Sequence, residues 1–364
     1  MKKSLFITFN NIFSRHTGGE QCSYINLNLL SKHYEVDTYI VRSNKLTKFF
    51  SSIFLFFPPF TYKHWKELNE MIFKNSYDLI FFDSSLFGMF LKHIHKKFKI
   101  PIICFYHNVE YDYLSVRFGK RLIKYPYLIL AKLNEKFSLK YSTINIALNK
   151  RDQERFLKIY KIAPQYILPI SFINYENNFL KDNKNLDYYK PYILFVGSLN
   201  RSNYEAAKWF VFNVMPFLNN NINLIIVGHG FENKKNDLKA SNVFVLGSVE
   251  VLNDYYISSE CVVSPIFEGC GMKVKIAEAL MYGKTIFGTR EAFEGYIIDN
   301  SSTILCNDDN EFINNLNNFL NDPDRKVFNE NSRKLFEEKY SFSVTEKIFA
   351  DIIKHVENNE NSLR

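Results

Sequence analysis

A rhythm that runs through this chain twice constrains its fold more than any other feature. Short apolar runs of strand length at 5–9, 36–41, 79–82, 102–106 and 144–147 alternate with amphipathic stretches of helix length at 20–32, 62–74, 86–97, 121–141 and 150–160. The rhythm lapses into Asn, Lys and Tyr at 171–190. It resumes after Pro191 with strands at 192–196, 224–227, 243–246, 261–264 and 285–287 and helices at 203–217, 251–258 and 274–282. Helical patterns at 311–320, 323–340 and 343–357 close the chain. Strands that each hand over to a helix pair in parallel, because a parallel neighbour is reached only by a crossover. The sequence therefore predicts an α/β protein of two doubly wound domains, 1–185 and 186–340, with a helix over 341–364 packing back on the first. Such sheets bind ligands outside the carboxyl ends of their strands, so a central cleft between the two is expected.

The 364 residues suit two domains, and 46% hydrophobic with 17% aromatic residues excludes a disordered chain. Charge is uneven. Residues 1–185 carry 28 Lys and Arg against 14 Asp and Glu, while the remainder carries 18 against 24, giving +14 and −6. The first half thus favours an anionic partner. Five scattered cysteines without a Cys-x-x-Cys pair argue against a disulfide framework or a zinc site and fit a reducing, cytoplasmic compartment. The apolar run after Lys2-Lys3 stops at Asn10-Asn11 and reads as a first strand rather than a leader. No apolar run reaches the roughly 18 residues of a spanning helix. The aromatic run 49–60, closed by Pro58-Pro59, reads as buried core, with a membrane-dipping loop beside Lys45, Lys48 and Lys63 as the alternative.

The densest chemistry lies between Ser264 and Thr285. A strand enters a loop bearing Gly269, Cys270, Gly271, Met272, Lys273 and Lys275, and a helix starts within it. Glycines let a ligand approach the backbone, and the N–H groups and positive dipole end of the helix suit a diphosphate. Lys273 and Lys275 are two apart and point differently on a helix, so one of them is expected to reach the phosphates. Glu278, two turns in, is placed to offer a carboxylate to ribose hydroxyls.

This segment resembles the nucleotide-sugar-binding signature of the retaining glycosyltransferases of family 4, which have the GT-B fold of two Rossmann-like domains. Gly197 after the strand at 192–196, with Arg201 beyond it, resembles the opening of that family's donor domain, and Gly228-His229-Gly230 its second strand and glycine turn. Gly18-Gly19 and His107-Asn108-Val109-Glu110 resemble its acceptor-side loops. The resemblance implies that His107 contacts the transferred sugar. Family members commonly carry two glutamates eight positions apart; here Cys270 stands at the first position, Glu268 lies two residues upstream, and Glu278 fills the second.

The resemblance further implies transfer of a sugar from a nucleoside diphosphate to a hydroxyl of a glycan acceptor, with retention, in bacterial cell-surface polysaccharide or glycoconjugate biosynthesis. No obvious cluster of oxygen ligands occurs in the sequence, so no metal or other cofactor is expected. The +14 half is then the acceptor side, which points to a lipid-linked glycan and peripheral contact with the anionic inner face of the plasma membrane rather than to nucleic acid. Three rivals are a nucleotide-sugar epimerase of the same architecture, a non-catalytic nucleotide-sugar-binding scaffold, and a nicotinamide-dependent oxidoreductase. The last needs a third glycine where Asn233 stands.

Overall fold

A computed structural model describes residues 2–14, 17–42, 55–122, 124–173, 184–218 and 221–363. The chain forms two compact units, Met1–Pro169 with Thr345–Arg364, and Ile170–Val344. The compositional lapse put the division near 185, whereas contacts put it after Pro169. Phe172 already belongs to the second unit: its N–H bonds to Tyr340 O (3.2 Å) and its carbonyl accepts from Phe342 N (2.9 Å).

The first unit is built on six parallel strands, β1 (Lys3–Thr8), β2 (Glu35–Ile40), β3 (Leu79–Phe82), β4 (Ile102–Tyr106), β5 (Ile144–Ala147) and β6 (Tyr166–Ile167), in the order β2-β1-β3-β4-β5-β6. The central strands β3 and β4 are apolar throughout and buried at every position, as strands covered by helices on both faces must be. Edge strand β2 is nowhere fully buried, and it carries Glu35 and Asp37. The helices are α1 (Gly18–Ser31), α2 (Tyr62–Lys74), α3 (Gly88–Phe98), α4 (Glu110–Phe118), α5 (Lys124–Tyr141) and α6 (Lys150–Tyr160). Thr17 and Glu20 form a reciprocal capping box at the start of α1, and Asn149 caps α6.

Phe56, Phe57 and Phe60 of the aromatic run are buried, with Phe60 edge-on to Phe56 (5.1 Å) and Phe87 (5.6 Å). Residues 49–54 of that run lie outside the described part. α3 meets α5 closely at Gly88, where a Cβ would stand 1.9 Å from Asn134 O, and Asn134 Oδ1 accepts the Met89 N–H at 2.9 Å.

The second unit repeats the plan with β7 (Tyr192–Val196), β8 (Asn223–Val227), β9 (Val243–Gly247), β10 (Cys261–Ser264), β11 (Ile286–Gly288) and β12 (Thr303–Leu305), ordered β12-β11-β10-β7-β8-β9 and parallel throughout. Its helices include α7 (Arg201–Asn213), α8 (Asn253–Ser258), α9 (Val274–Met281), α10 (Asp309–Asn321) and α11 (Glu330–Lys339). Its core gathers Phe195, Phe210, Ile226, Val263, Phe287 and Phe312. Lys284, 1% exposed, is accommodated because its Nζ donates to the carbonyls of Ile257 (2.9 Å), Ser259 (2.8 Å) and Val327 (3.0 Å). Burial pushes its pKa down to about 8.

The last helix, α12 (Phe342–Leu363), carries the chain back to the first unit. Phe349 packs there against Phe81 (6.2 Å) and His33 (6.0 Å), and Glu357 pairs with Lys2 at 2.9 Å. Among the described residues no helix is long and apolar enough to cross a membrane.

Gly88→Ala drives a methyl group into the Asn134 carbonyl and is expected to cost about 2–4 kcal/mol, read as a lowered denaturant midpoint at unchanged slope.

Candidate active site

The order of the second sheet reverses between β7 and β10, so the loops that follow those two strands diverge and leave a crevice at their carboxyl ends. Gly197 follows β7, and its N–H bonds to Val227 O at 3.0 Å. Gly228 follows β8, and a Cβ on it would fall 1.9 Å from the Gly197 carbonyl oxygen. Two backbones therefore run in contact here, which only glycine permits. Gly230, at φ 90°, turns the chain over Leu199.

Lys275, in the first turn of α9, sends its amine into this corner. Nζ lies 2.9 Å from Asn203 Oδ1 and 4.7 Å from the centre of the Phe195 ring, and a Cβ on Gly197 would approach it to 2.9 Å. Asn203 is itself fixed by donating to Ser198 O at 2.7 Å. Burial, helped by the neighbouring Lys273 charge, pushes the Lys275 pKa down to about 7.

Lys273 is differently engaged: its Nζ donates to Gly271 O (2.8 Å) and pairs with Glu291 (2.9 Å), both side chains being largely buried. Of the two lysines the sequence left open, Lys273 holds the loop and Lys275 faces the glycines. Glu278 accepts from the buried Tyr256 hydroxyl at 3.0 Å. Burial raises its pKa to about 7 against that hydrogen bond, which favours the carboxylate.

The 265–273 loop is braced from several sides. Phe267 packs edge-on against Trp209 at 4.7 Å, Thr289 Oγ1 donates to Ile266 O, Met272 is buried, and Gly271 turns at φ 68°. Gly269 packs against Lys273 and Glu291. Cys270 is half-buried, and Glu268 and Arg201 are exposed. The Lys273 side chain does not cap α9, although the Ile276 N–H bonds back to Lys273 O at 2.9 Å. A half-buried amine, the start of α9 and two closely approaching glycine backbones bring together groups whose chemistry suits an anionic ligand.

The first sheet has its own reversal point between β1 and β3, and the polar groups there converge on Asp83. Fully buried, its carboxylate accepts from Thr8 Oγ1 (2.9 Å), Asn26 Nδ2 (2.8 Å) and Ser23 Oγ, and Oδ1 lies 3.1 Å from His107 Nε2. Burial works against the charged imidazole, but Asp83 and Cys22 outweigh it and hold the His107 pKa well above its ordinary value. His107 is 12% exposed at the end of β4. Gly18 and Gly19 open α1, and the nearest atoms to a Cβ on Gly19 would be those of the Asn10 side chain, from 3.4 Å. Nearby, burial lifts Glu110 to about 7 and Glu135 to about 8, and Glu135 accepts the N–H groups of Glu110 (2.8 Å) and Tyr111 (3.2 Å) at the start of α4. Among the described residues no three His, Cys, Asp or Glu side chains are grouped to hold a metal ion.

Residues 190–322 match the family model described as Glycosyl transferases group 1. The second unit is therefore a glycosyltransferase domain, the domain of a transferase enzyme. No curated protein matches the chain in sequence. Solved structures match it over nearly its whole length. Sucrose-phosphate synthase from Thermosynechococcus elongatus superposes with a TM-score of 0.76 at 15% identity, over 99% of this chain and 100% of that one. HepE from Anabaena, in complex with UDP-glucose, gives 0.69 at 13%, over 98% and 100%. WaaG, a glycosyltransferase involved in lipopolysaccharide biosynthesis, gives 0.67 at 15%, over 95% and 98%. At these identities the likeness establishes the fold, the two-domain α/β GT-B architecture.

Sequence reasoning missed Asp83, Tyr256 and Glu291. Asp83 alone left a legible signal, an acid directly after the apolar run 79–82 in a chain segment with few acids. Asp83→Asn is expected to lower the His107 pKa, because burial is then opposed by Cys22 alone. Proton NMR titration of the imidazole reads the shift.

Proposed function

We propose that this protein transfers a sugar from a nucleoside-diphosphate donor to a hydroxyl of a glycan acceptor, with retention, in the building of a cell-surface polysaccharide or glycoconjugate. The observation that carries the reading is the Lys275 amine, in the first turn of α9, held by Asn203 against Gly197, whose carbonyl Gly228 abuts. As the glycosidic bond breaks, charge develops on the departing phosphate, and a preorganised cation and N–H donors stabilise it without reorganisation. Lys275 supplies the cation and α9 the donors. Arg201, exposed at the start of α7, is assigned the outer phosphate, and the Gly18-Gly19 backbone a further approach to the donor.

Glu278, oriented by Tyr256, is assigned to the ribose hydroxyls. His107, charged through Asp83, is assigned to the transferred sugar. Neither exposed Glu268 nor half-buried Cys270 is assigned a nucleophile's role, so the departing phosphate itself takes the acceptor proton on the same face of the sugar. No metal or other cofactor enters this reading.

Incubation with a panel of nucleoside-diphosphate sugars and glycan acceptors is expected to give a glycosylated product that keeps the donor's anomeric configuration. Free epimerised sugar, or nucleotide binding without turnover of any donor, overturns the proposal. Glu278→Ala is expected to lower turnover about 100-fold with a far smaller change in melting temperature.

A bound diphosphate favours the charged amine and raises the Lys275 pKa from about 7. Diphosphate affinity in the wild type should then fall by up to about tenfold per pH unit above 7, and calorimetry should show proton uptake on binding. Lys275→Gln should bind more weakly and lose this pH dependence.

A further inference from the structure

Helix α4 begins just after His107 and has no cap of its own. Val109 stands at its N-cap and offers no side-chain acceptor, and only Asn108 and Val109 separate His107 from the first helical N–H. The acceptor comes from another helix. Glu135 of α5, 0% exposed, accepts from Glu110 N through Oε1 (2.8 Å) and from Tyr111 N through Oε2 (3.2 Å). Tyr160, the last residue of α6, donates its hydroxyl to Oε2 at 2.6 Å. Donors from two helices thus converge on one carboxylate, which sits at the positive end of the α4 dipole.

Packing alone does not call for this group. Glu135 is the sole acid of α5, and an apolar side chain would fill a buried position at lower cost than a carboxylate stripped of water. What the carboxylate does that a leucine would not is hold two N–H groups in place. The helix that carries it is itself fixed: Asn134 accepts the Met89 N–H (2.9 Å), Ser138 donates to Ser85 O (2.8 Å), and Gly88 abuts the Asn134 carbonyl. A second tie, the two hydrogen bonds of Arg155 to Asp112, fastens the same turn of α4 to α6. On its other side His107 continues β4, whose last residue, Tyr106, is buried and donates to Asn145 Oδ1 at 2.7 Å. The short stretch between β4 and α4 is therefore anchored at both ends, and within it His107 lies 3.1 Å from Asp83.

We propose that Glu135 is a positioning residue for the reaction: by anchoring the start of α4 it holds His107 against Asp83 and so aims the imidazole at the transferred sugar. The inference rests on the assignment of His107 to that sugar and adds to it a side chain that acts only through the backbone of α4.

Glu135→Gln keeps the shape of the side chain and one acceptor oxygen but cannot accept at both positions. In this variant the His107 pKa, read by proton NMR titration of the full chain, is expected to fall by about one unit or more as the imidazole moves off Asp83. Turnover should fall about tenfold with donor KM within about threefold of the wild type. Nucleoside-diphosphate affinity should be unchanged, because Lys275 and α9 belong to the second unit. Tyr160→Phe, which removes one donor to the same carboxylate, should shift the pKa and the turnover in the same direction by less, and it decides the question if Glu135→Gln does not fold. A lowered melting temperature with either the His107 pKa or the turnover of the folded variants unchanged overturns the proposal and leaves Glu135 a structural cap. Absence of transfer by the wild type from every nucleoside-diphosphate sugar sinks the glycosyl-transfer reading and with it the aim at a sugar, whereas the titration, which needs no donor, still decides the hold on His107.

Discussion

The second unit depends on one backbone contact, that of Gly228 against the Gly197 carbonyl. A side chain on Gly228 would push the turn after β8 away from β7, and one on Gly197 would crowd Asn203 and the Lys275 amine. With both bare, the strand ends approach closely enough for Asn203 to bridge Ser198 and the lysine amine. The site is therefore a consequence of parallel-sheet geometry sharpened by two missing side chains. The low basicity of Lys275 follows from the same enclosure, since an amine placed over an aromatic ring and away from water is poised to gain charge when an anion arrives.

The first unit solves the same topological problem with a buried carboxylate. Asp83 sits at its sheet's reversal point, where Thr8, Ser23 and Asn26 satisfy the oxygens that burial strips of water. What remains of its field acts on His107. One unit thus presents an enclosed amine short of charge, and the other an imidazole rich in it.

The alternation of apolar runs and amphipathic stretches was enough to read both sheets, because strands buried on both faces are necessarily apolar throughout. The shortest elements escaped: β6 has two residues and β12 three, too few to show a period. The expected helix over 323–340 begins only at Glu330, where Asn329 accepts from the N–H groups of Asn331 and Ser332 and sets the start. The glycine and lysine cluster was legible because its residue types are unusual for their surroundings. Which lysine faces the ligand was not, since that follows from Glu291 eighteen residues on and Asn203 seventy-two residues back. Tyr256 was hidden for the same reason, Glu278 being brought to it only by folding.

The central claim is that the corner formed by Gly197, Gly228 and Lys275 receives a diphosphate. Hydrogen–deuterium exchange of the full chain with and without saturating nucleoside diphosphate tests it most directly. The account predicts slowed exchange at 197–203, 227–230 and 268–278. Protection confined to other strands' loops, or no protection with any nucleoside diphosphate, would contradict it.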